Sequence, residues 1–144
     1  MAGPRRKRGP PTVQWQQLIE QVRYSGRYAT GEEAEDVLRA VLTVLGSHVT
    51  GDERCELARL LPVEAAAILA DRIPLTEPLT APAFVDAVAG HLPACTGPEA
   101  RWATSTVLSL IAQLAGEDLS LRMLSELPRG YALLFGRAEL TAAA

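Results

Sequence analysis

Aromatic side chains supply only 5% of this 144-residue chain, and cysteine occurs just twice, at Cys55 and Cys95. Two cysteines so far apart, with no CxxC pair, exclude a thiolate zinc site and a dithiol redox motif. In a reducing compartment they read as two free, packed thiols. Lysine is missing beyond Lys7. No apolar run approaches the ~20 residues that a membrane-spanning helix needs, and the segment VQWQQLIEQV near the start is too polar for the core of a signal peptide. A cytoplasmic location is therefore expected. Sustained period-two alternation is absent as well, so no sheet is predicted. Finally, the chain contains no GxSxG, HExxH, P-loop or GxGxxG. No catalytic residue, cofactor-binding residue or metal ligand is assigned, and no cofactor is expected.

What the chain does have is alanine and leucine, within an apolar share of 48%. That composition favours helices packed closely through small side chains. Three acidic phrases punctuate it: TGEE from Thr30, TGDE from Thr50 and TGPE from Thr96. A Thr followed three residues later by Glu has the spacing of a capping box, in which each side chain satisfies a backbone N–H of the first turn. The acidic charge also suits the positive end of the helix dipole. Behind Thr30 the apolar residues Ala34, Val37, Leu38, Val41, Leu42, Leu45 and Val49 recur at helical steps. Behind Thr96 the stripe is Ala100, Ala103, Val107, Leu108, Ile111, Leu114 and Ala115. The middle phrase opens a shorter helix carrying Cys55, Leu57, Ala58, Leu60 and Leu61. Each phrase thus reads as a helix start, and its carboxylates have local work rather than a shared ligand.

The chain is also written twice. A shift of 66 carries Thr30 to Thr96, Glu33 to Glu99, Val41-Leu42 to Val107-Leu108 and Leu61-Pro62 to Leu127-Pro128. Upstream, Trp15 and Ile19 answer Phe84 and Val88 at a shift of 69. The expected architecture is all-α: two tandem copies of a roughly four-helix unit, 13–73 and 80–138, joined by a Pro-rich linker at 74–79 and packed as one helical bundle with pseudo-twofold symmetry. Pro62 and Pro128 are expected in the first turn of the last helix of each copy. Residues 1–12 read as a disordered basic tail and 139–144 as a C-terminal tail. The pattern resembles the domain of unknown function 2267 family, carried by Glu33-Ala34, VLRAVLTVL from Val37 and Leu61-Pro62, and again by Glu99-Ala100, VLSLIAQLA from Val107 and Leu127-Pro128. The resemblance covers Trp15 to Phe135 and implies an all-helical fold of two similar halves, with no established activity to carry over. Arg-rich, Lys-poor, Ala-rich usage points to a high-GC bacterial source.

Candidate sites follow from where the copies differ. Trp102 sits off the second stripe and shares a helix face with Ser105, Thr106, Ser109 and Gln113. One large aromatic among small hydroxyls is a surface that another helix could approach closely, and exposed Trp is a common interface anchor. The alternative is that Trp102 packs on the linker or the leading helix of its own chain. His48, on the first stripe, and His91, at a helix end, are expected as packed or boundary histidines favoured by the dipole. Tyr24 and Tyr28, interleaved with Arg23 and Arg27, have the composition of a nucleotide contact, though covering the core is the commoner role. Arg5, Arg6, Lys7 and Arg8 form an electrostatic tail. Beyond Thr12, ten arginines against all seventeen acidic residues leave the body at −7, a poor general nucleic-acid binder. The function expected is a non-catalytic helical protein-interaction or scaffold module with a protein partner or a second copy. The alternative is an accessory protein that binds nucleic acid or an anionic surface through the basic tail.

Overall fold

Seven helices and no strand form among the described residues, 14–137, of the computed structural model. In chain order they are α1 (Trp15–Gly26), α2 (Gly31–Gly46), α3 (Gly51–Leu60), α4 (Val63–Ala70), α5 (Ala81–Gly90), α6 (Gly97–Ser125) and α7 (Tyr131–Leu134). The basic residues Arg5, Arg6, Lys7 and Arg8 lie outside the described residues, as do the expected outer limits of the two copies at Val13 and Ala138.

Helix α2 is the centre of the bundle, with α1, α4, α5 and α6 packed around it. Its expected stripe from Ala34 to Val49 is buried throughout, and Ala40 and Val44 join it. Burial on more than one face is what a helix with neighbours on several sides requires. Helix α6 buries Ala100, Ala103, Val107, Leu108 and Ile111, while Leu114 and Ala115 stay half-buried. Leu18, Ile19 and Val22 of α1, Phe84 and Val88 of α5, and Leu119 and Met123 late in α6 complete one continuous core. The short α3 is more peripheral: Leu57 is buried, but Cys55 and Leu60 are exposed. Cys55 is therefore free but not packed, because it points away from the α3 face that carries Leu57.

The three acidic phrases behave differently from one another. At Thr96 the capping box is complete: the hydroxyl accepts from the Glu99 N–H at 3.2 Å, and the Glu99 carboxylate accepts from the Thr96 N–H at 3.0 Å. At Thr30 the hydroxyl accepts from Glu33 N–H at 3.1 Å, but the Glu33 carboxylate reaches one residue further back, to the Ala29 N–H at 3.2 Å. Thr50 makes no side-chain cap at all. A further threonine cap stands outside the phrases, where the Thr80 hydroxyl accepts from Ala83 N–H at 3.2 Å.

The later half departs from expectation in two places. The long and short helices expected after Thr96 run on as α6, separated only by a kink at Gly116 with φ 84° and ψ 170°. That backbone region is essentially closed to residues with a Cβ, so glycine supplies the turn. The last helix is a single turn, α7, and it starts three residues after Pro128 because Gly130 at φ 98° first reverses the chain. Pro62, by contrast, is the N-cap of α4, just outside the first turn.

Polar ties fix the periphery. Arg122 forks onto Glu56 with N–O distances of 2.7 and 2.8 Å and also meets Asp118, joining α3 to the far end of α6. Its hydrogen bonds hold the Glu56 carboxyl below the usual carboxylate range. Arg54 donates to the carbonyls of Leu69 and Arg72, closing the C-terminal end of α4.

Candidate functional site

The end of α1 sets the site. Arg27 takes a left-handed conformation with φ 59°, and the Tyr28 N–H returns to the Arg23 carbonyl at 3.0 Å. This turn lays the Tyr28 ring across Gly26, so closely that a Cβ at Gly26 would fall 2.2 Å from Tyr28 Cε2. From α6 the Trp102 indole N–H donates to the Gly26 carbonyl at 2.9 Å. That bond takes one of the last carbonyls of α1, which lack partners within the helix. Two aromatic side chains 74 positions apart in the chain thus converge on one glycine.

Together they wall a cleft of about 520 Å³, completed by Val37 of α2 and by Leu92, Pro93 and Pro98 around the start of α6. Its rim is acidic. Glu33, Asp36 and Glu99 all line it, and among the described residues none of the three pairs with a cation. The Tyr28 hydroxyl is buried without a hydrogen-bond partner among the described residues. Burial, with the charge of Glu33 and the neighbouring Cys95 adding to it, pushes this phenol up to about 12. The Cys95 thiol is raised by burial and by Glu99. An uncharged phenol and thiol between carboxylates give the floor no cation of its own.

The expected face on α6 is divided by the fold. Trp102 remains 51% exposed although it is tied to Gly26. It packs on the leading helix, as the second of the two readings expects, and keeps half of its surface exposed. Ser105 and Thr106 are half-buried one turn further on. Ser109 and Gln113 line a separate cleft with Gly116 and the Arg137–Glu117 ion pair. A Cβ at Gly136 would lie 2.8 Å from the Ser109 hydroxyl oxygen, so that end of the face is already covered by the chain's own turn.

The remaining candidates are placed as follows. Tyr24 is 87% exposed and shares a shallow groove with Arg23, Arg27 and Tyr28; Arg23 is paired with Glu20 at 3.3 Å. His91 is exposed at the C-terminal end of α5. His48 is only 7% exposed, and it belongs to an arrangement that the sequence did not disclose. Its Nε2 accepts from the Leu79 N–H at 3.0 Å, so its proton sits on Nδ1 and is donated to the Val44 carbonyl at 2.9 Å. The Tyr131 hydroxyl donates to the Leu79 carbonyl at 2.7 Å. One linker residue, Leu79, is thereby held by both of its backbone polar groups, over a floor formed by the Phe84 ring. Burial holds the His48 pKa below its ordinary value, and burial raises that of Tyr131. Among the described residues no group of three or more His, Cys, Asp or Glu side chains could hold a metal ion, and no helix is long and apolar enough to cross a membrane.

The model of the family described as an uncharacterized conserved protein, DUF2267, matches residues 15–134. That span begins with α1, ends with α7 and contains the whole of the Trp102 cleft. No curated protein matches the chain.

Proposed function

The chain belongs to the DUF2267 family, and we propose that it is a non-catalytic, cytoplasmic helical interaction module whose working surface is the cleft at Trp102. Its body is read as two copies of one helical unit, related by a pseudo-twofold axis through the core. The 66-residue register and the long helices α2 and α6 support that reading. One observation carries the functional proposal. Trp102 is locked in place by its indole N–H yet exposes half of its surface beside an open apolar cleft. A pre-positioned aromatic loses little conformational freedom when a partner covers it, which is what makes Trp an effective anchor. Val37, Leu92, Pro93 and Pro98 would take apolar groups of the partner, while Glu33, Asp36 and Glu99 form a polar rim that selects for positive charge. The partner is a protein presenting an apolar, cation-bearing segment.

The test is retention from nuclease-treated lysate of the source organism on the wild-type chain and on Trp102→Ala, with helicity followed by far-ultraviolet circular dichroism. A protein held by the wild type and lost from the variant, at unchanged helicity, is the expected result. Equal retention on both would place the surface elsewhere.

A further inference from the structure

We propose that the outward face of α4 is a self-association surface, on which a second copy of this chain packs antiparallel. It is a surface apart from the Trp102 cleft, since no residue lining that cleft belongs to α3, α4 or the linker.

Apolar exposure carries the first part. Eight large apolar side chains are exposed among the described residues, and four of them, Leu60, Val63, Ile73 and Leu75, fall within positions 60–75. Val63 and Ile73 are 82% and 84% exposed, well beyond Trp102. They bracket α4, VEAAAILA, whose one charged residue is Glu64. Ala65 and Leu69 are buried on its inner side, where it packs on α2 and α3. Val63, Ala67 and Ala70 follow at helical steps on the opposite side and are exposed. A helix apolar on every side is normally covered on every side. This one is bare on its outer face. The face is also held in shape. The turn continues to Arg72, whose N–H returns to the Leu69 carbonyl at 3.3 Å, and Arg54 donates to the Arg72 carbonyl at 2.8 Å. The Leu75 N–H then donates to the Ser47 carbonyl at 3.0 Å, so Ile73 stands between two fixed points. A fixed side chain loses little freedom when it is covered.

Self-complementarity carries the second part and selects a second copy as the occupant. Along the face the order is large, small, small, large: Val63, Ala67, Ala70, then Ile73. Two such faces crossing antiparallel near Ala67 set alanine on alanine, which lets the backbones approach. The Val63 end of one chain then meets the Ile73 end of the other, and a twofold axis repeats that contact. Charge follows the same order. Exposed Arg59 and Glu64 stand at the first end, and exposed Asp71 and Arg72 at the second. Each end thus offers one arginine and one carboxylate to the opposite pair of the other copy, and the face as a whole is neutral. Two copies that each carry −7 beyond Thr12 meet there with the least repulsion. A lipid surface is the poorer occupant, because a helix lying on anionic lipid carries a basic flank, whereas α4 is flanked by Glu64 and Asp71. The face is short, eight helical residues or ~12 Å at about 1.5 Å each, so the interface is smaller than the standard ~1,600 Å² and the association is weak.

The experiment is sedimentation velocity of the full chain at loading concentrations from about 5 to about 500 µM, a range suited to weak association, with far-ultraviolet circular dichroism as the check on fold. The wild type is expected to pass from one chain toward two as concentration rises, and the ¹H–¹⁵N amide peaks of Val63, Ala67 and Ala70 to shift with it. Ala67→Glu, at an exposed helical position, sets like charges across the axis and is expected to weaken the association roughly tenfold or more. Val63→Ser with Ile73→Ser, which removes exposed carbon and adds no charge, is expected to weaken it as well. A wild type that stays a single chain throughout overturns the proposal, and so does a dimer that survives both variants at unchanged helicity. A different protein captured by a single-chain wild type and lost from Ala67→Glu gives the face to that partner and equally overturns it. Trp102→Ala is expected to associate as the wild type does. A single-chain Trp102→Ala would put the interface at the cleft instead.

Discussion

Protonating His48 removes the lone pair that accepts from Leu79 N–H, and it places a charge among Phe84, Tyr131 and the linker. The sign of the pH dependence follows from its lowered folded-state pKa. Above the ordinary value of 6.5 both folded and unfolded states hold a neutral imidazole, and stability does not depend on this group. As pH falls below 6.5 the unfolded chain takes up a proton that the native site resists, so stability is lost down to the folded pKa. The thermal midpoint of the wild type should therefore fall on acidification through this window, and in His48→Gln this component of the slope should be absent. An identical acid slope in the variant would show that His48 is not its source. The single-residue logic of the cleft is similar in kind: the Tyr28 ring sits where Gly26 lacks a side chain, and Trp102 donates to that residue's carbonyl. Nothing in the sequence around Tyr28 marks this, because its ring position depends on the left-handed turn at Arg27 and on an indole from a distant helix. The off-stripe placing of Trp102 was legible, whereas the sequence left its exposure undecided against packing on its own chain. Its partner Gly26 was not legible.

Helix starts and breaks give the next scale. Thr96 has a complete capping box and Thr50 has no side-chain cap, although both phrases show the same residue spacing. Thr96→Ala should cost about 1 kcal/mol of unfolding free energy, whereas Thr50→Ala should stay within about 0.5 kcal/mol. Denaturant melts of the two variants measure the difference, and equal losses would contradict it. At Gly116 the prediction is larger. Alanine there is forced into φ 84°, and Gly116→Ala should cost roughly 1–3 kcal/mol or straighten the kink. The apolar periods made the helices readable, since burial of a stripe is written in spacing alone: Ala34 to Val49 and Ala100 to Ile111 are buried as their spacing requires. Breaks were less readable. Position 116 lies 66 residues after Thr50, the residue before α3, but it carries glycine at φ 84°, and the break there is a kink within one long helix. Gly130 likewise shortened the last helix to one turn, and no apolar period records a reversal of the backbone.

The whole molecule places its long helices α2 and α6 in contact at the centre, with the smaller helices packed around them. Ten arginines against seventeen acidic residues beyond Thr12 give this part of the chain a formal charge of −7, a poor basis for general nucleic-acid binding. The bundle also exposes other apolar side chains, among them Leu133 at 54%, which is as open as Trp102 but lines a different cleft without Glu33, Asp36 or Glu99. Leu133 is therefore the natural control. The most direct test is calorimetric titration of a protein captured on the wild-type chain against the wild type, Trp102→Ala and Leu133→Ala. If the Trp102 cleft is the working surface, Trp102→Ala weakens binding by about 2 kcal/mol or more, a factor of roughly 30, while Leu133→Ala changes it by less than about 0.5 kcal/mol. Undiminished affinity in Trp102→Ala, or a loss confined to Leu133→Ala, would contradict the account.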